Sequence, residues 1–125
     1  MSHFVEVQTQ IRDAAALKSA CAEMGLQVLE NAVARGYGRN SAKGDIVIRL
    51  KGPYDIALNR QADGRYGLTT DWYAGHVEAE VGKDYGRLLQ LYAVHKAQIE
   101  ARKKGLTIRR QALGDGSVKL VIGGL

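Results

Sequence analysis

The chain has 125 residues, of which 46% are hydrophobic and 25% are charged, and its single cysteine is Cys21. These values favour one domain, 1–125, with a core of its own, and they exclude a disordered polar chain and an internal disulfide. The net charge of +5 is local, because residues 101–125 carry six basic groups and one acidic group while the rest of the chain is balanced. A local basic excess favours an acidic protein or a polyanion as partner.

The first predicted elements are a strand and a helix. Apolar and polar residues alternate over 4–11, which is the period of a half-buried strand. Asp13 is a favourable N-cap for the Ala-rich helix that follows, and Gly25 is a favourable stop for it. A short strand over 26–30 and a basic, glycine-rich turn over 34–44 come next.

The rest of the chain alternates between strands and one long helix. Further strands are predicted at 45–50, 54–60 and 65–73. A long helix is predicted over 83–104 and ends at Gly105. Strands over 106–111 and 117–122, joined by a glycine-containing turn, form a closing hairpin.

The order of these elements predicts the fold class. Both helices end in Gly followed by Leu-x-Val or Leu-x-Ile, at 23–29 and 103–109, and both follow a predicted strand. This pattern predicts an α+β domain with a mainly antiparallel, twisted sheet and two helices packed on one face, ferredoxin-like in character. The opposite face of the sheet is then expected to be open, with Asp71 and Tyr73 on it and Trp72 turned to the core.

Two polar residues of the long helix suggest a pocket. His95 and Lys96 fall inside the apolar sector of an ideal helical wheel. One interpretation is structural: the lysine stem covers the core margin, and the histidine is hydrogen-bonded. The other is that both side chains meet a polar group of the sheet and form a pocket wall. The candidate pocket residues are His3, Asp71, Trp72, His95 and Lys96.

A basic surface is the second candidate site. The stretch RGYGRNSAKG, 35–44, offers backbone N–H groups and cations to an anion, but a strand follows it, which excludes a P-loop. Nucleic acid is a less favoured partner, because the predicted strands lack a stacking aromatic pattern and no helix-turn-helix is evident. The candidate anion-binding residues are Arg35, Arg39, Lys43, Arg102, Lys103, Lys104, Arg109 and Arg110.

No catalytic residue, metal site or cofactor is predicted. The chain has no His-x-x-x-His or Cys-x-x-Cys spacing, and metal sites usually draw their ligands from such short spacings. Cys21 lies in the apolar stripe of the first helix, where a free cysteine behaves as a small core residue.

Several short segments, in a fixed order along nearly the whole chain, carry a family resemblance. They include ARGYG (34–38), DIVIRLKGPYDI (45–56), DWY (71–73), YAVHK (92–96) and KKGLTI (103–108). In this order they resemble the hypothetical chloroplast reading frame thirty-five family, a small plastid and cyanobacterial domain of unknown function. The chain departs from that family at Tyr73, where relatives often have a second tryptophan.

The resemblance implies a small intracellular protein without an established catalytic activity. By analogy, it implies an AAA+ ATPase or a small ferredoxin-like protein as partner. The expected location is the cytoplasm, or the plastid stroma for a plastid-encoded copy. Neither a signal peptide nor a membrane span is expected.

The function expected from the sequence is that of a small non-enzymatic protein-binding or assembly module. It would use the open sheet face or the basic C-terminal hairpin to contact an acidic protein, or a second copy of itself. The alternative is a small-molecule- or redox-linked enzyme component that uses the candidate pocket. A second alternative is a nonspecific polyanion binder, whose affinity would fall steeply with salt.

Overall fold

Residues 4–124 are described by a computed structural model, and within them seven strands and three helices form the domain. The strands are β1 (Phe4–Gln8), β2 (Gln27–Arg35), β3 (Ser41–Arg49), β4 (Ile56–Arg60), β5 (Tyr66–Asp71), β6 (Thr107–Ala112) and β7 (Val118–Gly123). The helices are α1 (Ala14–Glu23), α2 (His76–Val81) and α3 (Gly86–Lys103). The α+β class and the mainly antiparallel sheet predicted from the sequence are confirmed.

The main sheet has five strands in the order β1-β5-β4-β3-β2, and every neighbouring pair is antiparallel. Since β1 and β2 lie at opposite edges, α1 crosses the sheet between them. Strand β6 pairs with β7 in a separate two-stranded sheet. The strand that follows α3 therefore does not return to the main sheet, as it would in a ferredoxin-like arrangement.

The three helices cover one face of the main sheet, which we call the helix side. Side chains from all three helices share one buried cluster with the strands, for example Leu17, Leu88, Ile48, Leu58 and Leu68. Burial of each such side chain stabilises the fold by about 1.5–3 kcal/mol. Among the described residues, no helix is long and apolar enough to cross a bilayer.

Both long helices end in the way that the sequence predicts. Gly25 and Gly105 have the same positive φ of 72°, which glycine adopts without steric cost. At each end, the N–H of the following leucine bonds back to a carbonyl five residues earlier, at 2.9 Å. This pattern satisfies a helix-terminal carbonyl that would otherwise have no partner.

Asp13 begins α1 as an N-cap, and its carboxylate accepts hydrogen bonds from Ala15 N at 2.9 Å and Ala16 N at 3.1 Å. These bonds hold the pKa of Asp13 below its usual value, against a raising effect of partial burial and with help from Lys96. Replacing Asp13 with alanine should lower the free energy of unfolding by about 1 kcal/mol, because two helix-terminal N–H groups lose their acceptor. Urea denaturation measures this cost. A serine at position 13 serves as control, since it restores the cap, and equal losses for both variants would contradict the capping role.

The opposite face of the sheet, which we call the reverse side, is not open at its centre. Ala34, Val47 and Ala57 are completely buried there. They are covered because β2 and β3 are longer than their neighbour: β4 pairs only with 46–48 of β3. The surplus end of the β2–β3 hairpin folds over the reverse side, where the Gly36 backbone lies against the Phe4 ring. The expectation of an open face is wrong at this place.

The β6–β7 hairpin packs on the outer side of α3. Val94 and Ala101 of α3 are buried although they lie outside the main core. The side chain of Gln90 donates a hydrogen bond of 3.1 Å to the carbonyl of Gly116 in the hairpin turn. The helix is therefore covered on both of its long sides.

Candidate functional site

Three of the sequence segments that carry the family resemblance meet where the β2–β3 hairpin folds over the sheet. They are the turn after β2, the loop before β4, and the end of β5 with the turn that follows it. Two buried aspartates, Asp55 and Asp71, join these segments by accepting hydrogen bonds from them. The site consists of charged groups in the interior and aromatic groups at the surface.

Asp55 is fully buried and holds the first segment to the second. Its carboxylate accepts bonds from Arg35 Nη2 at 2.7 Å and Arg35 Nε at 2.8 Å, and from the backbone N–H groups of Arg35 and Leu50. Burial by itself would raise the pKa of Asp55, but these bonds outweigh burial and lower it. Arg49 adds a longer ion pair, with its Nε 3.4 Å from the carboxylate.

Glu80 of α2 holds the loop before β4 from the other side. Its two carboxylate oxygens accept hydrogen bonds from the backbone N–H groups of Lys51, at 2.7 Å, and Gly52, at 2.9 Å. Arg35 also donates to the carbonyl of Gly52 at 3.0 Å. The loop before β4 is thus fixed by an anion of α2 and a cation of β2 together.

Asp71 is fully buried and accepts one bond on each oxygen, from Tyr37 N and Tyr73 N, both at 3.0 Å. The sequence places Asp71 on an open face, and this expectation is wrong, because the folded-over hairpin covers it. The two tyrosine rings meet edge to face with centroids 4.7 Å apart. We call Tyr37 and Tyr73 the tyrosine pair; they are 46% and 47% exposed.

Tyr54 is a buried neighbour of the tyrosine pair. Tyr54 contacts the ring of His76 edge to face, with centroids 5.2 Å apart. Loss of surrounding water raises the pKa of Tyr54, and the negative charge of Asp71 adds to this effect. Next to Tyr73, Ala74 has a positive φ of 60°, a conformation that costs a non-glycine residue about 1–2 kcal/mol. The turn that displays Tyr73 is therefore held by the surrounding contacts and not by its own preference.

A cavity of about 600 Å³ lies on the helix side of the sheet, at the edge formed by β1. We call it the edge cavity. Trp72 and Tyr85 stand in its wall with ring centroids 4.8 Å apart. The complete lining is Val7, Gln8, Thr9, Gln10, Ile11, Trp72, Asp84, Tyr85, Leu89, Tyr92 and Ala93.

The predicted pocket residues are not gathered around one cavity. His95 Nε2 lies 2.8 Å from Glu23, and Lys96 Nζ lies 3.3 Å from Asp13, so both connect α3 to α1. Asp71 is on the reverse side, and Trp72 is in the wall of the edge cavity. His3 lies outside the described residues.

Lys96 has a second partner in Glu100, at 3.2 Å. The hydrogen bonds to Glu100 and Asp13 raise the pKa of Lys96. They outweigh partial burial, which by itself would lower this pKa. His95 shares its partner Glu23 with Arg110 of β6, at 2.8 Å in each case. The bonds from Arg110 and His95 lower the pKa of Glu23 against a small opposing effect of burial. These contacts correspond to the structural interpretation of the two helix residues.

The predicted anion-binding residues are divided between the β2–β3 hairpin and the region where α3 meets β6. Three have carboxylate partners: Arg35 with Asp55, Arg110 with Glu23, and Lys103 with Glu100 at 3.9 Å. The others are exposed: Arg39, Lys43, Arg102, Lys104 and Arg109. Arg35 is a structural cation, so its prediction as part of an anion surface is not supported by its contacts.

Sequence reasoning missed three residues that organise these sites: Asp55, Glu80 and Tyr85. A signal for Asp55 was present, since it is an acidic residue directly before the apolar run IAL of a strand. Because a buried carboxylate needs a partner, an aspartate at this position predicts a cation close to it in the fold. Glu80 and Tyr85 carry no comparable local signal. Within residues 4–124, no group of three potential metal ligands comes together, and the absence of a metal site stays a prediction.

Comparison with known proteins places the chain in a family. The profile of the family described as "Protein of unknown function (DUF1257)" matches residues 20–121. The chain is 32% identical over 124 residues to "Uncharacterized protein ycf35" of Pyropia yezoensis. The aligned region covers 98% of this chain and 96% of that protein. No solved structure matches. The resemblance to the hypothetical chloroplast reading frame thirty-five family is thereby confirmed.

Proposed function

Because the chain belongs to the DUF1257 family, whose members are described as proteins of unknown function, we propose a role from its own geometry. The protein is a small, non-enzymatic protein-binding module, and the tyrosine pair is the centre of its binding surface. The observation that carries this proposal is the exposure of two contacting aromatic rings on a rigidly held backbone.

Rigid tyrosines are effective at protein interfaces for two reasons. Tyrosine offers a large amphipathic contact area with few rotatable bonds, so little conformational entropy is lost on binding. Here the buried Asp71 also fixes the backbone of both residues before any partner arrives. Affinity rises when such ordering is complete in the free protein.

Charge favours an acidic partner surface. Two exposed cations, Arg39 and Lys43, lie at the same end of the β2–β3 hairpin as Tyr37. An acidic protein would be attracted to this surface, mainly through a faster association rate at low salt. The AAA+ ATPase and the ferredoxin-like protein suggested by the sequence resemblance are the first partners to test, and a second copy of the chain is the next. The proposed location is the cytoplasm, or the stroma for a plastid-encoded copy.

The test begins with photo-crosslinking in cells of the source organism. A benzoylphenylalanine at position 73 should capture one acidic protein, whereas the same group at Leu113, an exposed apolar residue of the C-terminal hairpin, should not. The captured protein is then purified and titrated against the chain. Equal capture at both positions would contradict the proposal.

Replacing Tyr73 with alanine should weaken binding of that partner by about 30-fold, which corresponds to the roughly 2 kcal/mol of an interface hot spot. Isothermal titration calorimetry measures the change. The matched control is Leu113→Ala, which removes a side chain of similar exposure and should leave the affinity unchanged. Loss of binding in both variants, or in neither, would show that the tyrosine pair is not the centre of the interface.

A further inference from the structure

The two edge strands of the main sheet, β1 and β2, differ in how well they are protected. The ladder that holds β2 is interrupted at Asn31, which has a positive φ of 49°. Strand β1 is regular, because all five of its residues pair with β5. Natural sheets usually protect an edge with a lysine, a proline or a bend, and β1, with the sequence FVEVQ, has none of these. A further strand can therefore pair with the β1 edge.

Two residues of β1, Glu6 and Gln8, direct their backbone groups away from the sheet. The N–H of Tyr66 in β5 donates at 2.8 Å to a carbonyl just after β1, so the backbone of Tyr66 faces β1. Backbone direction alternates along an antiparallel pair, so Leu68 also faces β1 and bonds to Val7, which lies opposite it. The N–H and carbonyl groups of the residues on either side of Val7 then lie at the free edge.

Apolar side chains accompany these backbone groups. Val5 and Val7 lie opposite Thr70 and Leu68 of β5, so they share the helix side with them. Their exposed fractions are 43% and 39%, and Val7 also stands in the wall of the edge cavity. A strand added at β1 would therefore bury apolar surface and satisfy backbone groups at the same time.

The sequence of β1 is complementary to a second copy of itself. When two antiparallel copies meet with Val7 opposite the partner's Val7, Glu6 lies opposite the partner's Gln8, and Gln8 opposite the partner's Glu6. The outward backbone groups of both residues then face each other. Each such pair exchanges two hydrogen bonds, so the two pairs give four. The carboxylate of Glu6 also meets a side-chain amide, which can donate to it.

The neighbouring registers that pair the same backbone groups are less favourable. A shift of two residues in one direction would place Glu6 opposite the partner's Glu6, and like charges directly opposite each other are destabilising. A shift in the other direction would place Glu6 opposite the partner's Gln10, which lies beyond the end of β1. The charge of Glu6 thus selects the register centred on Val7.

We propose that the protein forms a two-fold symmetric dimer in which β1 of each chain pairs with β1 of the other. The two five-stranded sheets then become one continuous sheet of ten strands. The partner's strand covers Val5 and Val7 at the sheet edge. This pairing uses neither ring of the tyrosine pair, so it stands or falls separately from the proposed function.

Analytical ultracentrifugation over a series of protein concentrations tests for the dimer. One chain has a mass of 13.6 kDa, and we expect the measured mass to rise toward twice this value with concentration. A mass of one chain at the highest soluble concentration would overturn the proposal and leave the edge to a strand of another protein.

Two opposite substitutions of Gln8 test the register. Gln8→Glu sets two like-charged pairs against Glu6 and should weaken the dimer about tenfold, whereas Gln8→Lys creates two ion pairs and should strengthen it by about the same factor. The double variant Glu6→Lys, Gln8→Glu exchanges the two charges and should dimerise at least as tightly as the original chain. Gln27→Glu, at an exposed glutamine of the other edge strand, is the matched control and should change nothing. Equal effects of the two Gln8 substitutions, or none, would overturn the pairing.

Amide hydrogen exchange on the unaltered chain locates the contact. The N–H groups of Glu6 and Gln8 should become protected only at concentrations where the dimer forms. Those of Val5 and Val7, which bond to β5, should be protected at all concentrations. A doubled mass without new protection at Glu6 and Gln8 would place the contact elsewhere and overturn the proposal.

Discussion

Replacement of Asp55 with alanine should lower the free energy of unfolding by about 3–5 kcal/mol, the usual cost of removing one partner from a buried ionic contact. The reason is that one carboxylate serves several donors at once. The guanidinium and backbone N–H of Arg35 and the backbone N–H of Leu50 all lose their acceptor. Urea denaturation followed by circular dichroism measures this loss.

The matched control is Asp63→Ala. Asp63 also pairs with an arginine, Arg65 at 2.6 Å, but both side chains are exposed to water. Exposed pairs contribute little to stability, so this variant should keep the urea midpoint of the original chain. If the two variants lost equal stability, the burial of Asp55 would have no part in holding the hairpin.

The same residue predicts a dependence of stability on acid. Since the folded-state pKa of Asp55 is lowered, its contribution is complete above the unfolded value of roughly 3.9 and is lost as the pH falls through the folded value. The stability difference between the original chain and Asp55→Asn should therefore shrink below about pH 4. A difference that stays constant down to pH 2 would contradict this ionic role.

Replacement of Gly44 with alanine should lower the free energy of unfolding by about 3 kcal/mol, at the upper end of the cost of overpacking a core. A Cβ at this position would lie 2.6 Å from the carbonyl oxygen of Ile46 and 3.1 Å from the Ala57 side chain. The first contact is with backbone, which cannot rotate away as a side chain can. Urea denaturation again gives the cost, and a stability equal to that of the original chain would refute it.

Gly114→Ala is the control for this substitution. Gly114 lies in the turn of the C-terminal hairpin, and nothing stands within 4 Å of the position its Cβ would take. Its replacement should change stability by less than about 0.5 kcal/mol. A similar loss in both variants would indicate a general cost of replacing glycine and not a steric conflict at Gly44.

Gly44 marks the place where the β2–β3 hairpin turns toward the reverse side. Ile46 belongs to the helix-side core, whereas a Cβ on Gly44 would point at Val47 and Ala57 of the reverse side. Two residues that differ by two positions normally share a face of a strand, so the strand rotates between them. On the neighbouring strand β2, Asn31 lies between the residues that pair with Gly44 and Ile46, and it has a positive φ of 49°. This rotation lets the hairpin end cover the sheet and reach Asp71.

Much of the fold could be predicted from short-range patterns. Asp13, Gly25 and Gly105 mark the ends of helices where the structure has them, because a cap depends on atoms within one turn of the chain. Strand patterns likewise depend on nearest neighbours, and they located all seven strands, but the predicted turn over 34–44 is wrong at both ends, since 34–35 belong to β2 and 41–44 to β3. The burial of Cys21 follows from its place in the apolar stripe of α1.

The candidate site was predicted only in part. The segments ARGYG and DWY were singled out, but as an anion loop and an open face, and not as one aromatic surface. Tyr37 and Tyr73 are brought together by Asp71, which is 34 positions from Tyr37. Periodicity carries no information about contacts over that distance. At His95 the helical wheel left a structural and a pocket interpretation open, and its partner Glu23 of α1 corresponds to the structural one.

The amino-acid sequence by itself determined the helix ends, the strand periods, the α+β class and the local basic excess, because these depend on residues close together in the chain. Only the tertiary structure decided that the β2–β3 hairpin folds over the sheet, that Asp55 and Asp71 are buried, and that Tyr85 stands in a cavity wall. The physical reason is that a strand's pattern says which residues share a face but not what covers that face. The covering element is selected by steric fit and by buried hydrogen bonds between distant segments.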